Sequence, residues 1–170
     1  MSRPTNYFTH LASVRVQYGR PPLGVYGEKG KNYKFYCHED FEDELDDFVE
    51  AVKTATEPLF GSMELILSAG AYVKKSKLHG LGRAFDLDAI HWERGRLVAD
   101  QQPSQKPLYL LVQSIAYQHF GMILAYNYNA AHKDHFHLDN SRPVQFRETK
   151  AATYFMQEAL NLFYGANLVI

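Results

Sequence analysis

Cysteine is almost absent from this 170-residue chain. Cys37 stands alone, so no intrachain disulfide can form, and a fold that depends on disulfide staples is excluded. The thiol lies between Tyr36 and His38 and is expected to be a buried or half-buried spectator. Net charge is nearly absent too. Eighteen Lys and Arg against 19 Asp and Glu leave −1, which provides no field to draw in nucleic acid. No segment approaches the ~20 apolar residues of a membrane span, so no membrane insertion is expected. The opening MSRPTNYFTH lacks the apolar stretch of a secretory signal. The expectation is a soluble product made in the cytoplasm, with any role outside the cell requiring another export route. There is no internal repeat and no low-complexity tract.

What is present fits one compact domain spanning 1–170. Apolar residues make up 46% and charged residues 22%, ordinary globular values. The 12 tyrosines belong either to a groove for polar ligands or to a Tyr-rich core.

Residues 1–36 are rich in Pro and Gly and read as irregular, apart from a period-two alternation over 13–18 and a turn over 27–32. Asp40 is placed to cap a helix running to about Ala55, with Phe41, Leu45, Phe48, Val49 and Val52 on one stripe. The acidic residues between Glu39 and Glu50 are that helix's solvated face. Pro58 and Gly61 are expected to break it. Strands are expected over 63–67, 84–90, 97–99, 122–126 and 135–138, with Ser68 to Gly70 interrupting the first. A second helix is expected over 107–119, with Leu108, Leu111, Val112 and Ile115 inward. A third is expected over 151–164, with Phe155, Ala159, Leu162 and Phe163 inward and Gly165 ending it. Helices and strands mix without βαβ alternation, which gives an α+β class: helices flanking a small, mainly antiparallel sheet.

The chemistry concentrates in two segments. Three of the eight histidines fall in His132-Lys133-Asp134-His135-Phe136-His137-Leu138-Asp139. On a strand, His135 and His137 would share a face, with Cβ atoms about 6–7 Å apart, while Phe136 and Leu138 anchor the other face. The second segment is His79-Gly80-Leu81-Gly82-Arg83-Ala84-Phe85-Asp86-Leu87-Asp88. Asp86, Asp88 and Ile90 would share one face, and two acids there call for a compensating cation. Gly80 and Gly82 would let the chain turn between His79 and Asp86. Two imidazoles and a carboxylate, with no thiolate, suit a catalytic Zn²⁺ that keeps an open coordination position.

The ordered string His79-x-x-Gly82-x-Ala84-x-Asp86 followed by His135-x-His137 resembles the LAS-type zinc peptidases. That group includes lysostaphin-like, D-alanyl-D-alanine carboxypeptidase-like and murein endopeptidase-like enzymes. Within it, the stretch from Asn129 to Asp139 is similar to the extensin-like C-terminal domain, and the likeness runs over about 66–140. The resemblance implies a hedgehog/DD-peptidase-like zinc site with His79, Asp86 and His137 as ligands. It implies catalytic roles for Asp134, His135 and His132, with Asp134 slightly ahead of His135 as proton acceptor. Asp88 and Asp139 would orient ligand imidazoles. It also implies peptidoglycan stem or cross-bridge peptides as substrate, with a phage lysis or virion-borne enzyme as one setting. A non-catalytic wall-binding or virion module with a structural zinc is the alternative. A metal-free, pH-sensitive histidine surface is a third reading. Arg83, Lys133 and Arg142 are either substrate-carboxylate ligands or plain surface charges.

The chain departs from that pattern in two ways. Leu78 directly precedes His79, and the nearest preceding serine, which relatives carry close to this histidine, is Ser76. Extensin-like proteins that are secreted tend to carry a signal and paired cysteines, and this chain has neither.

Overall fold

The computed structural model describes residues 3–75 and 77–170, so Ser76 lies outside the described residues. Its strands are β1 (Tyr7–Phe8), β2 (His10–Leu11), β3 (Val14–Tyr18), β4 (Lys31–Asn32), β5 (Phe35–Tyr36), β6 (Met63–Gly70), β7 (Ala84–Trp92), β8 (Gly95–Val98), β9 (Met122–Leu124) and β10 (Phe136–Asp139). Its helices are α1 (Glu39–Phe60), α2 (Lys106–His119) and α3 (Lys150–Tyr164), with short 3-10 turns at Leu78–Leu81, Ala99–Ser104 and Ala130–His132.

The class is α+β and the sheet is mainly antiparallel, both as expected, but the sheet is not small. Eight strands join it in the order β2-β3-β6-β7-β10-β9, with β4 on β3 and β8 on β7; β1 and β5 form a separate pair. The β3–β6 pair is parallel, because α1 carries the chain back before β6 begins. The first 36 residues are therefore less irregular than their Pro and Gly content implies: they hold five short strands.

The α1 stripe is buried as its spacing requires, with Phe41, Leu45 and Val52 wholly inaccessible. Its ends differ from expectation. His38, not Asp40, occupies the cap position, because its N–H is held by the Gly82 carbonyl at 2.9 Å and fixes where the helix starts. Pro58 lies inside the helix. It removes one hydrogen bond, while the preceding turn is pinned to the sheet by Trp92 Nε1 donating to Thr56 Oγ1 at 2.9 Å. Gly61, at φ 77°, makes the exit.

α2 buries Tyr109, Leu110, Val112, Gln113, Ile115 and Ala116, while Leu108 and Leu111 are only partly covered. Tyr109 stacks on Phe136 of β10 at 4.3 Å between ring centroids, which turns the buried face of α2 towards it. β9 ends at Leu124 rather than Tyr126. α3 buries Ala152 and Phe155, but Leu162 and Phe163 are 46% and 47% exposed, contrary to expectation. α3 packs on α2 through Phe155, whose ring lies 4.8 Å from that of Tyr117, while an open apolar cleft lined by Leu111, Ala159, Leu160 and Phe163 separates the later turns of the two helices. Gly165 ends it in a left-handed conformation, as expected.

α1, α2 and the inward residues of β3, β6, β7, β9 and β10 form one apolar core. The helices thus cover one face of the sheet, which leaves the other free to carry polar side chains. Among the described residues, no helix is long and apolar enough to cross a membrane.

Candidate metal centre

β7 and β10 run antiparallel with His137 directly opposite Asp86, so both side chains leave the same face side by side. Phe136 and Leu138 point the other way into the core and fix that register. His79 arrives from the 3-10 turn before β7. Two glycines make this possible. A Cβ on Gly80 would lie 1.9 Å from the Lys75 carbonyl oxygen, and Gly82 sits at φ 67°. The turn therefore closes tightly enough to bring His79 beside the strand pair.

His79 Nε2 lies 3.2 Å from Asp86 Oδ1 and 3.2 Å from His137 Nδ1, and the last two atoms are 2.9 Å apart. Tetrahedral zinc, with bonds of about 2.0–2.2 Å, places its ligand atoms about 3.2–3.5 Å from one another. Among the described residues, His79, Asp86 and His137 form the group that could hold a metal ion.

Proton bookkeeping tests the fit. The Ala71 carbonyl can only accept, so His79 Nδ1, 2.7 Å away, carries a proton and Nε2 presents a lone pair. His137 Nε2 donates to Asp139 Oδ2 at 2.9 Å, which leaves Nδ1 with its lone pair in the neutral ring. Three acceptors then converge with no hydrogen among them, an arrangement that calls for a cation. Without a metal, a proton on His137 serves. Burial would lower its pKa, but the hydrogen bonds to Asp139 and Asp86 outweigh burial and hold it up at about 9. Burial likewise opposes ionisation of Asp86, yet the hydrogen bond from protonated His137 and the imidazoles of His79 and His135 around it hold it far below the ordinary carboxylate range. Asp139 orients an imidazole, as expected, and also accepts the Ser141 N–H at 2.8 Å.

Asp88 does not orient an imidazole. Along β6–β7, Leu67 pairs with Ala89 while Ser68 pairs with Leu87, so Asp88 is an extra residue in the ladder. The bulge changes the alternation: Ile90 joins the main core, and Ala89 joins Leu67 and Val98 in a small cluster apart from it. Asp88 is fully buried, and its compensating charge is Arg20 rather than a metal. Arg20 Nε and a terminal nitrogen grip its two oxygens at 3.0 and 2.7 Å. Burial still pushes the Asp88 carboxyl up to about 6 against that pairing.

β10 begins at Phe136, so Asp134 and His135 precede the strand. His135 Nε2 approaches Asp86 Oδ1 to 3.7 Å, while Nδ1 donates to Asp134 Oδ1 at 2.8 Å. The other Asp134 oxygen lies 3.4 Å from Arg20. His132 is half-buried, with its ring 5.2 Å from that of His135 and 5.9 Å from that of His137. Asn129 Oδ1 accepts from the Ala131 N–H and from His132 Nδ1 at 2.8 Å. Burial, then the neighbouring imidazoles, lowers the His132 pKa.

The three candidate ligands, with His132 and His135, line an open cleft of about 740 Å³, and Asp134 stands behind His135 outside that lining. The cleft's cationic lining is Lys75 and Lys77, on the turn before His79, and not Arg83, Lys133 or Arg142. Arg83 instead pairs with Asp40 at 3.3 Å. Lys75 and Lys77 reach the cleft as near neighbours of His79 in the chain, whereas Arg20 carries no motif and only the fold brings it near the site. The tyrosines divide between the two expected uses: Tyr109 is in the core, while Tyr18, Tyr33, Tyr36 and Tyr72 line a separate cavity of about 320 Å³.

Residues 68–149 match the family model of the extensin-like protein C-terminus. No curated protein and no solved structure matches the chain. The extensin-like segment contains His79, Asp86, His132, Asp134, His135 and His137. Arg20 and Tyr26 lie outside it.

Proposed function

We propose that the protein is a zinc-dependent peptidase acting on amide bonds of peptidoglycan stem or cross-bridge peptides. The observation that carries this reading is the pair of imidazoles, each fixed by an acceptor on its outer nitrogen, presenting lone pairs beside Asp86 in an open cleft. The extensin-like match and the resemblance of the His79–Asp86–His137 pattern to LAS-type zinc peptidases supply the substrate class.

His79, Asp86 and His137 would hold the ion, which when bound supplies Lewis acidity and lowers the pKa of water towards ~7. His135 is the favoured proton acceptor, ahead of Asp134. Its Nε2 faces the centre, whereas the Asp134 oxygens are engaged by His135 and Arg20. With its Nδ1 proton given to Asn129, His132 presents Nε2 as an acceptor for a substrate N–H. Lys75 and Lys77 provide charge for a substrate carboxylate.

Mass spectrometry of products from defined muropeptides tests the proposal. Cleavage that requires zinc, stops with chelator and disappears in His137→Ala is expected. A protein loaded with zinc that leaves every muropeptide intact would overturn it.

A further inference from the structure

Asp134 is held from behind by a part of the chain far from it in sequence. Arg20 follows β3, and its guanidinium is locked in place by the fully buried Asp88 at 2.7 and 3.0 Å. The same guanidinium turns its remaining nitrogen to Asp134 Oδ2 at 3.4 Å. Six residues on, the Tyr26 hydroxyl donates to the Asp134 backbone carbonyl. Asp134 is thus gripped at side chain and main chain, and its other oxygen accepts the Nδ1 proton of His135. Neither Arg20 nor Tyr26 touches the cleft lining or the three candidate ligands.

We propose that Arg20 and Tyr26 are positioning residues for the Asp134–His135 pair, so that the site is incomplete without the 20–26 segment. The proposal rests on the reading of His135 as proton acceptor. Asp134, at the end of a turn before β10, has no regular backbone ladder to fix it. Asp88 anchors the guanidinium, the guanidinium fixes the carboxylate, and the carboxylate keeps the proton on His135 Nδ1. His135 Nε2 is then left with a lone pair directed at the centre. The bulge that places Asp88 in the ladder becomes part of the same device.

The test uses full-length, zinc-loaded protein and two readouts, ring-nitrogen NMR of His135 and steady-state kinetics on muropeptides. Arg20→Met alone would leave Asp88 buried without a partner and risks misfolding. Arg20→Met with Asp88→Asn removes both charges, and Tyr26→Phe removes one hydroxyl. In the wild type, His135 is expected in the Nδ1–H tautomer. In the double variant it should shift to a mixture with the Nε2–H form, with kcat down about 10-fold or more. KM and zinc stoichiometry should stay unchanged, and Tyr26→Phe should show a smaller change in the same direction. An unaltered tautomer and kcat in the folded double variant would overturn the proposal. A tautomer shift in a protein that cleaves nothing would uphold the positioning role and reject the peptidase reading.

Discussion

Asp139 stands two residues beyond His137 on the same strand, and its carboxylate reaches back to His137 Nε2 at 2.9 Å. That bond decides which nitrogen of His137 is free to bind a metal. Outer partners of this kind typically change metal affinity about 10–100-fold. Asp139→Ala should weaken zinc binding by that order, measured by competition with a chromophoric chelator. Asp139→Asn, whose side-chain carbonyl still accepts, should lose less.

Asp86 contributes the only negative charge among the three candidate ligands. Asp86→Ala should abolish stoichiometric zinc binding, measured by elemental analysis after desalting. It should also remove the rise in melting temperature expected of the wild type on adding zinc, since a ligand stabilises a fold only by binding it.

In the proposed site, zinc and protons would compete for His137. Because its pKa is held up at about 9 in the metal-free protein, the ring is protonated at pH 7. Binding at neutral pH should therefore release a proton from it, and that release should fade as pH rises above about 9. Calorimetry in buffers of different ionisation heat reads this directly. Without metal the sign for stability is the reverse of a depressed carboxylate. The contribution of His137 is complete below its unfolded pKa of about 6.5 and is lost as pH rises through about 9.

Cys37 is fully buried, and burial, with Glu42 nearby, pushes its thiol up to about 12. Native protein should resist iodoacetamide at pH 8 and react at once when unfolded. Since unfolding frees the thiol to ionise at a lower pH, this group should also reduce stability as pH climbs from about 8.5 towards 12.

Gly80→Ala should displace the 3-10 turn that presents His79, because the added Cβ meets backbone, the Lys75 carbonyl oxygen at 1.9 Å. Weaker zinc binding together with a lowered melting temperature is the expected outcome. The same change at Gly165, which has nothing within 4 Å, carries only the strain of its positive φ and should leave zinc binding untouched.

The parts of this molecule that can be read from sequence are those governed by local periodicity or close spacing. Phe41, Leu45, Phe48, Val49 and Val52 recur at helical intervals, so α1 and its buried face follow. His79, Asp86 and His137 are singled out as ligands by the resemblance to LAS-type zinc peptidases; the residues alone offer a glycine turn between His79 and Asp86 and a His135-x-His137 pair. What escapes depends on distant partners. Arg20 and Asp88 are 68 positions apart, and nothing near either one names the other. The bulge at Asp88 arises from how β6 fits β7, so the alternation that places Ile90 beside Asp86 fails there. Leu162 and Phe163 carry a correct helical pattern, but how closely the later turns of α3 approach α2, which no local pattern gives, decides whether that pattern is covered.

The helices and the candidate centre occupy opposite faces of one sheet. Cohesion of the folded chain comes from the helical side, through Phe48, Tyr109, Phe136 and their neighbours. If the centre holds zinc as proposed, removing the ion would leave that interior intact. A chelated sample should still melt cooperatively and take up fresh metal.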